Sequence, residues 1–233
     1  MAKIALDAGH GVNTAGKRTP DGEREWAFNN KVLLAAQKYL NEYEDVSILR
    51  LDDPTGKTDV PLNSRTNKAN EWGADVLVSI HHNASTGKWG NWTGTETYIH
   101  ASNPKGSRAL ATAVQSRLTK AYGLSNRGIK TANFHMLRES KMTAILTEGG
   151  FMDSRIDILK MRDDKVLDAA GKAIAEGVAE YLKLKKNPEP KPVSKPTGKL
   201  YKVQIGAFSN KDNADKLATE AKKKGFNVYI VQE

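Results

Sequence analysis

The sequence predicts an α/β protein: a twisted, mostly parallel sheet with helices on both faces, then a proline-rich linker and a small C-terminal βαβ segment. Three observations carry this expectation. Short apolar runs alternate with stretches of helical periodicity over residues 1–184. The runs are almost continuously apolar, as expected of strands covered on both faces. Finally, four of the eight prolines fall within residues 187–196, which hold no aromatic side chain. That composition favours a stiff, extended spacer.

Ile4-Ala5-Leu6 opens the first strand. A helix is expected over 25–41, where Phe28, Val32, Ala36 and Tyr39 recur every three or four residues on one face. Strand 46–49, helix 62–72, strands 76–80 and 96–99, helix 105–122, strand 144–146 and helix 165–183 follow. These elements make one domain, 1–184. The linker spans 185–198. Residues 199–233 carry apolar runs at 201–208 and 225–230 around a helical stretch at 214–221, hence strand, helix, strand.

The 39% apolar content supports a sizeable core. No run approaches the roughly 18 apolar residues of a membrane span. Because the chain enters its first strand a few residues after Met1, no signal peptide is expected. The sequence has no cysteine, which excludes disulfides and leaves His, Asp and Glu as metal ligands. Net charge is +9, unevenly placed: residues 1–184 hold 25 Lys and Arg against 22 Asp and Glu, and the remainder holds 11 against 5. A basic tail suits nucleic acid, anionic lipid or anionic wall polymers equally well.

Open α/β sheets build their sites beyond the carboxyl ends of the strands. His10 in Asp7-Ala-Gly-His10-Gly follows the first strand, His81 and His82 follow Ile80, and Glu148 follows Leu146-Thr147. Glu25 heads the first helix, fifteen residues after His10 across a loop rich in Gly, Asn and Thr. Two imidazoles and a carboxylate are a donor set for catalytic zinc, with a further glutamate as base, so the chain reads as a zinc hydrolase. Neighbours on a strand point to opposite faces, so only one of His81 and His82 can be a ligand. Spacing leaves that choice open.

Five ordered motifs resemble those of the zinc-dependent N-acetylmuramoyl-L-alanine amidases over residues 1–184: Asp7-Ala-Gly-His10-Gly, Arg24-Glu25, Ser79-Ile-His81-His-Asn83-Ala84, Gly94-Thr-Glu-Thr-Tyr98 and Leu146-Thr-Glu148-Gly-Gly-Phe151. Val12 departs from the second glycine that many members carry, which bears on loop shape alone. The resemblance implies Zn2+ held by His10, Glu25 and His81, with Glu148 as the catalytic glutamate. It implies hydrolysis of the amide between N-acetylmuramic acid and the L-alanine of the stem peptide. Peptidoglycan is then the expected partner, with anionic wall polymers as a further candidate and nucleic acid excluded. The expected setting is wall lysis after release from the cell, by a phage endolysin or a mother-cell autolysin.

His135 and Arg138 are candidates for substrate contact, with a structural role as the alternative. Asp7 is a candidate to orient His10. The tail resembles one repeat of the sporulation-related, peptidoglycan-binding SPOR module, which usually has two. Two readings compete: a zinc peptidase or carboxypeptidase acting on wall peptides, and a non-catalytic wall-binding protein.

Overall fold

The computed structural model describes residues 1–188, 204–226 and 228–231. It forms two compact units, Met1–Asn187 and Pro188–Glu233. The first unit contains a six-stranded sheet whose elements are, in chain order, β1 (Ala2–Ala8), α1 (Glu25–Leu40), β2 (Val46–Arg50), α2 (Leu62–Trp72), β3 (Val76–Asn83), β4 (Thr95–His100), α3 (Lys105–Tyr122), β5 (Asn126–Ala132), α4 (His135–Arg138), β6 (Thr143–Phe151), α5 (Asp157–Met161) and α6 (Asp164–Leu182). The sheet order is β2-β1-β3-β6-β4-β5. All pairings are parallel except β4 with β6, so β4 and β5 run against the other four strands.

The pleat sorts the apolar residues into two cores. Ile4, Leu6, Val76, Val78, Ile80 and Ile145 join side chains of α1, α3 and α6 on the first face. Ala5, Leu77, Ala144 and Leu146 pack on the second face against Ala69 of α2 and Met136 and Leu137 of α4. The first layer is tight. A Cβ at Gly171 of α6 would lie 2.4 Å from Ala35 Cβ and 2.6 Å from the Ala36 nitrogen of α1, so the helices touch through backbone.

The expected helices of the first unit appear within a residue of their predicted ends. Three elements were not foreseen. β5, Asn-Arg-Gly-Ile-Lys-Thr-Ala, is a partly exposed edge strand with too few apolar residues to show a period, and α4 and α5 are too short to show one. β3 and β6 also run beyond the apolar residues that announced them, so His81 and Glu148 lie inside strands rather than after them. Lys185 and Asn187 bond to the 42–44 turn through Glu44 N to Lys185 O, 2.8 Å, and Asn187 N to Glu42 O, 2.8 Å. The first unit therefore extends past residue 184.

In the second unit, Lys211–Lys223 forms a helix, α7, capped by Asn210 accepting from the Asp212 nitrogen at 2.8 Å. The strands expected around it fall partly outside the described residues, at 201–203 and 227. Their described parts, 204–208 and 228–230, make no strand pairing. Strands need neighbours to bury a face, and a single βαβ unit offers few. No helix among the described residues is long and apolar enough to cross a membrane.

Candidate metal centre and active site

Strand alternation decides which residues meet. His81 shares its face with Leu77, and His82 shares the opposite face with Val78 and Ile80. His82 is accordingly buried among α1 and α3, its Nδ1 2.7 Å from Asn29 Oδ1 and its Nε2 2.7 Å from the Tyr122 hydroxyl. Burial lowers its pKa to about 4, and both ring nitrogens are engaged. It is a neutral core residue.

His81 points the other way. Its Nδ1 lies 3.0 Å from Glu25 Oε1, and His10 Nε2 lies 3.3 Å from Glu25 Oε2. The two rings meet edge to face with centroids 4.9 Å apart. One donor atom from each of His10, Glu25 and His81 falls within 4.8 Å of the others, which is a possible metal site. Two backbone features bring them together. His10 adopts a left-handed conformation, φ 68°, which turns the chain out of β1. Gly9 lets the His81 ring lie on the β1 backbone, for a Cβ there would fall 2.0 Å from His81 Cε1.

The electrostatics suit a cation. Burial lowers the pKa of His10 to about 4 despite Glu25, leaving its imidazole free to donate a lone pair. Burial alone would raise the Glu25 carboxyl, but the His81 hydrogen bond and the charges of His81, His10 and Lys17 pull it well below its ordinary value. Burial likewise disfavours the His81 imidazolium, yet Glu25, Glu148 and Asp7 raise its pKa. Asn29 Nδ2 and the His82 backbone nitrogen also donate to Glu25 Oε1, at 3.3 and 3.2 Å.

Glu148 sits opposite His81 in the β3–β6 register, on the same face. Its Oε2 is the one buried side-chain polar atom without a hydrogen-bond partner among the described residues. Burial pushes its pKa up; His81 opposes this, and Glu25 and Glu96 add to it. A cavity of about 210 Å³ joins Glu148, Glu25, His81, Asn83 and Lys17, and a second of about 230 Å³ opens on the other side of His81 between His10, Asp59 and Leu62. Glu148 lines the first of these cavities, and its unpartnered, buried Oε2 has the capacity to accept a proton from a water or substrate.

Asp7 does not orient His10. It receives Ser79 Oγ at 2.6 Å and Arg65 at 2.7 Å, and Ser79 Oγ lies 3.2 Å from His81 Nε2, so it steadies the other histidine. Fully buried Arg65 ties this pair to the His10 carbonyl at 3.0 Å. His135 and Arg138 do not line either cavity. His135 Nε2 is 3.3 Å from Thr66 Oγ1, and Arg138 pairs with Glu139 at 2.7 Å and the Asn133 carbonyl at 3.2 Å. Beside the site, Asp153 accepts from the backbone nitrogens of Ser85, Thr86 and Gly87 at 2.8–2.9 Å and from Trp92 Nε1 at 2.7 Å.

Residue periodicity showed no role for Glu96, although it stands in the fourth motif. It is 1% exposed on β4, directly opposite Glu148, and binds Asn83, Tyr98, Arg127 and Lys130.

A doubly covered α/β sheet whose strand ends gather two imidazoles, a buried carboxylate and a half-buried one defines the class, a hydrolytic α/β enzyme. Comparison with known proteins agrees. Residues 4–180 match the profile of the N-acetylmuramoyl-L-alanine amidase family, and residues 169–232 match that of the SPOR domain. The second match begins inside α6, which packs in the first unit's core. A sporulation-specific N-acetylmuramoyl-L-alanine amidase of Bacillus subtilis is 40% identical over 99% of this chain and 85% of its own. An endolysin of Bacillus phage SPP1 is 34% identical over 92% of this chain and 79% of its own. Among solved structures, the N-acetylmuramoyl-L-alanine amidase of Clostridium difficile 630 is 34% identical with a TM-score of 0.72, covering 78% of this chain and 97% of that one. The chain belongs to the N-acetylmuramoyl-L-alanine amidase family, and it is a peptidoglycan hydrolase that acts on the cell wall.

Proposed function

We propose that His10, Glu25 and His81 hold a zinc ion and that Glu148 moves the protons in cleavage of the amide between the lactyl group of N-acetylmuramic acid and L-alanine. The observation that carries this is the unbonded, buried Oε2 of Glu148, in register with His81 and sharing a cavity with Glu25. The donor set fits a zinc ion: two nitrogens and a carboxylate, with no cysteine in the chain. Zinc, when bound, supplies Lewis acidity toward the amide carbonyl and eases ionisation of a water molecule.

The protein side of the reaction follows from Glu148. Its Oε2 accepts a proton from the attacking water and returns it to the alanine nitrogen as the C–N bond breaks. The raised pKa favours holding that proton between the two transfers. Asp7, through Ser79, steadies the His81 ring during turnover.

The second unit, in which Lys outnumbers Asp and Glu by nine to five, serves as the wall-binding segment, including contact with anionic wall polymers. Wall breakdown in sporulation or phage lysis is the setting, which the names of the two relatives support. Mass spectrometry of products from purified walls, with metal analysis of the same sample, tests the reading. Intact glycan, peptides with new L-alanine amino termini and one zinc per chain are expected. New termini within the peptide would instead identify a peptidase.

A further inference from the structure

The row of charge at the strand ends continues past Glu148. His81, Glu148 and Glu96 occupy matched positions on β3, β6 and β4, so their side chains share one face. Glu96 Oε1 accepts from Asn83 Nδ2 at 2.9 Å and the Tyr98 hydroxyl at 2.7 Å, and Asn83 lines the Glu148 cavity. Glu96 Oε2 receives Arg127 Nε at 2.6 Å and Lys130 Nζ at 2.5 Å.

Two cations pair with the one carboxylate of Glu96. Neither Arg127 nor Lys130 has another acidic partner among the described residues, and their side chains remain 37% and 36% exposed. They are also held in place. The Arg127 guanidinium lies 4.9 Å from the Phe151 ring centre, and its stem covers Gly94. Satisfying a buried glutamate needs no second cation, so the pair is over-provided as a structural device and suited to a second carboxylate from outside.

We propose that Arg127 and Lys130, clamped by Glu96, bind the free α-carboxylate of the second stem-peptide residue. This rests on the reaction proposed above. Glu96 lies two strand spacings from His81, about 10 Å. A stem peptide leaving the scissile amide in extended form advances about 3.3–3.6 Å per residue, so its second residue comes within reach of a lysine or arginine on that row. That residue is a glutamate linked onward through its side chain, and its α-carboxyl is either free or amidated. The pair therefore sets a preference for walls with unamidated stems.

The test uses the full chain with N-acetylmuramoyl-L-alanyl-γ-D-glutamyl-L-lysine and the same compound amidated at the glutamyl α-carboxyl. The parent should cleave the free acid with a kcat/KM about tenfold higher, the size of one charge-assisted hydrogen bond. Lys130→Gln and Arg127→Gln should each bring the ratio toward one, mainly through KM on the free acid. Lys130→Arg should keep the ratio, and so should Lys17→Gln, which removes an exposed cation lining the Glu148 cavity. A purely structural role would slow both substrates equally and leave the ratio unchanged in the glutamine variants, overturning the proposal. Equal cleavage of both substrates by the parent, or loss of preference in Lys17→Gln, would overturn it too while leaving the reaction intact. Cleavage of neither would remove the reaction itself.

Discussion

The two faces of the sheet receive adjacent histidines and treat them oppositely. On the face covered by α1, α3 and α6, His82 is 2% exposed and bonded at both nitrogens to neutral partners. On the face covered by α2 and α4, His81 meets two carboxylates and an open cavity. The thicker layer buries its imidazole as packing, and the thinner layer leaves room at the strand ends for chemistry. The pleat does the sorting, and helix length decides what each face becomes.

Exchanging the two histidines for alanine separately gives the largest expected contrast. His81→Ala should lose bound zinc and with it turnover, as measured by metal analysis and release of L-alanine termini. His82→Ala should keep zinc stoichiometry and lose melting temperature instead. The reverse pattern would invert the assignment of the faces.

Glu148→Gln keeps shape on the face that carries His81 while removing the proposed base. Turnover should fall by about 10² to 10⁴ with zinc content and melting temperature unchanged. A rate within a few-fold of the parent would end the proposed proton transfer.

A smaller effect separates the faces by pH. The His82 pKa is lowered to about 4 in the folded chain from 6.5, so the unfolded chain binds the extra proton between those values. Its contribution to stability is present above pH 6.5 and lost as pH falls toward 4, about 3 kcal/mol in all. Urea denaturation of the parent should therefore weaken over that window by this amount more than that of His82→Gln. Equal pH slopes would show that His82 is not held neutral by burial.

Removing the second unit after Asn187 should have the least effect on the face that carries His81. Activity on soluble muropeptides should stay at the parental level, while sedimentation with intact walls falls and the lost binding is the salt-sensitive part. Unaltered wall binding would show that the first unit anchors itself.

Much of this was legible in the sequence, for reasons the structure makes plain. β1, β3 and β6 are buried on both sides, so their apolar runs stand out, and His10, His81 and Glu148 sit on the chain just beyond those runs. Choosing His81 over His82 needed the family motif, because both follow the same run. β5 was invisible because an edge strand of Asn, Arg, Gly, Lys and Thr has no buried face to advertise. Arg127 and Lys130 were hidden with it. Their partner Glu96 lies 31 and 34 residues away in the chain and meets them only through the sheet order. Asp7 reaches Ser79 across 72 residues and through it His81, which its position beside His10 disguised.

The loop between β3 and β4 owes its shape to one carboxylate outside itself. Asp153 gathers three consecutive backbone nitrogens, those of Ser85, Thr86 and Gly87. Main-chain donors are common to almost every residue type, so the curl tolerates replacement of the Ser85 and Thr86 side chains, whereas Gly87, at φ 73°, holds a left-handed turn that favours glycine. The rim next to Ala84 and Met152, which line the Glu148 cavity, therefore takes its path from a single side chain, so a change at Asp153 would release the loop while His10, Glu25, His81 and Glu148 stay on elements of their own.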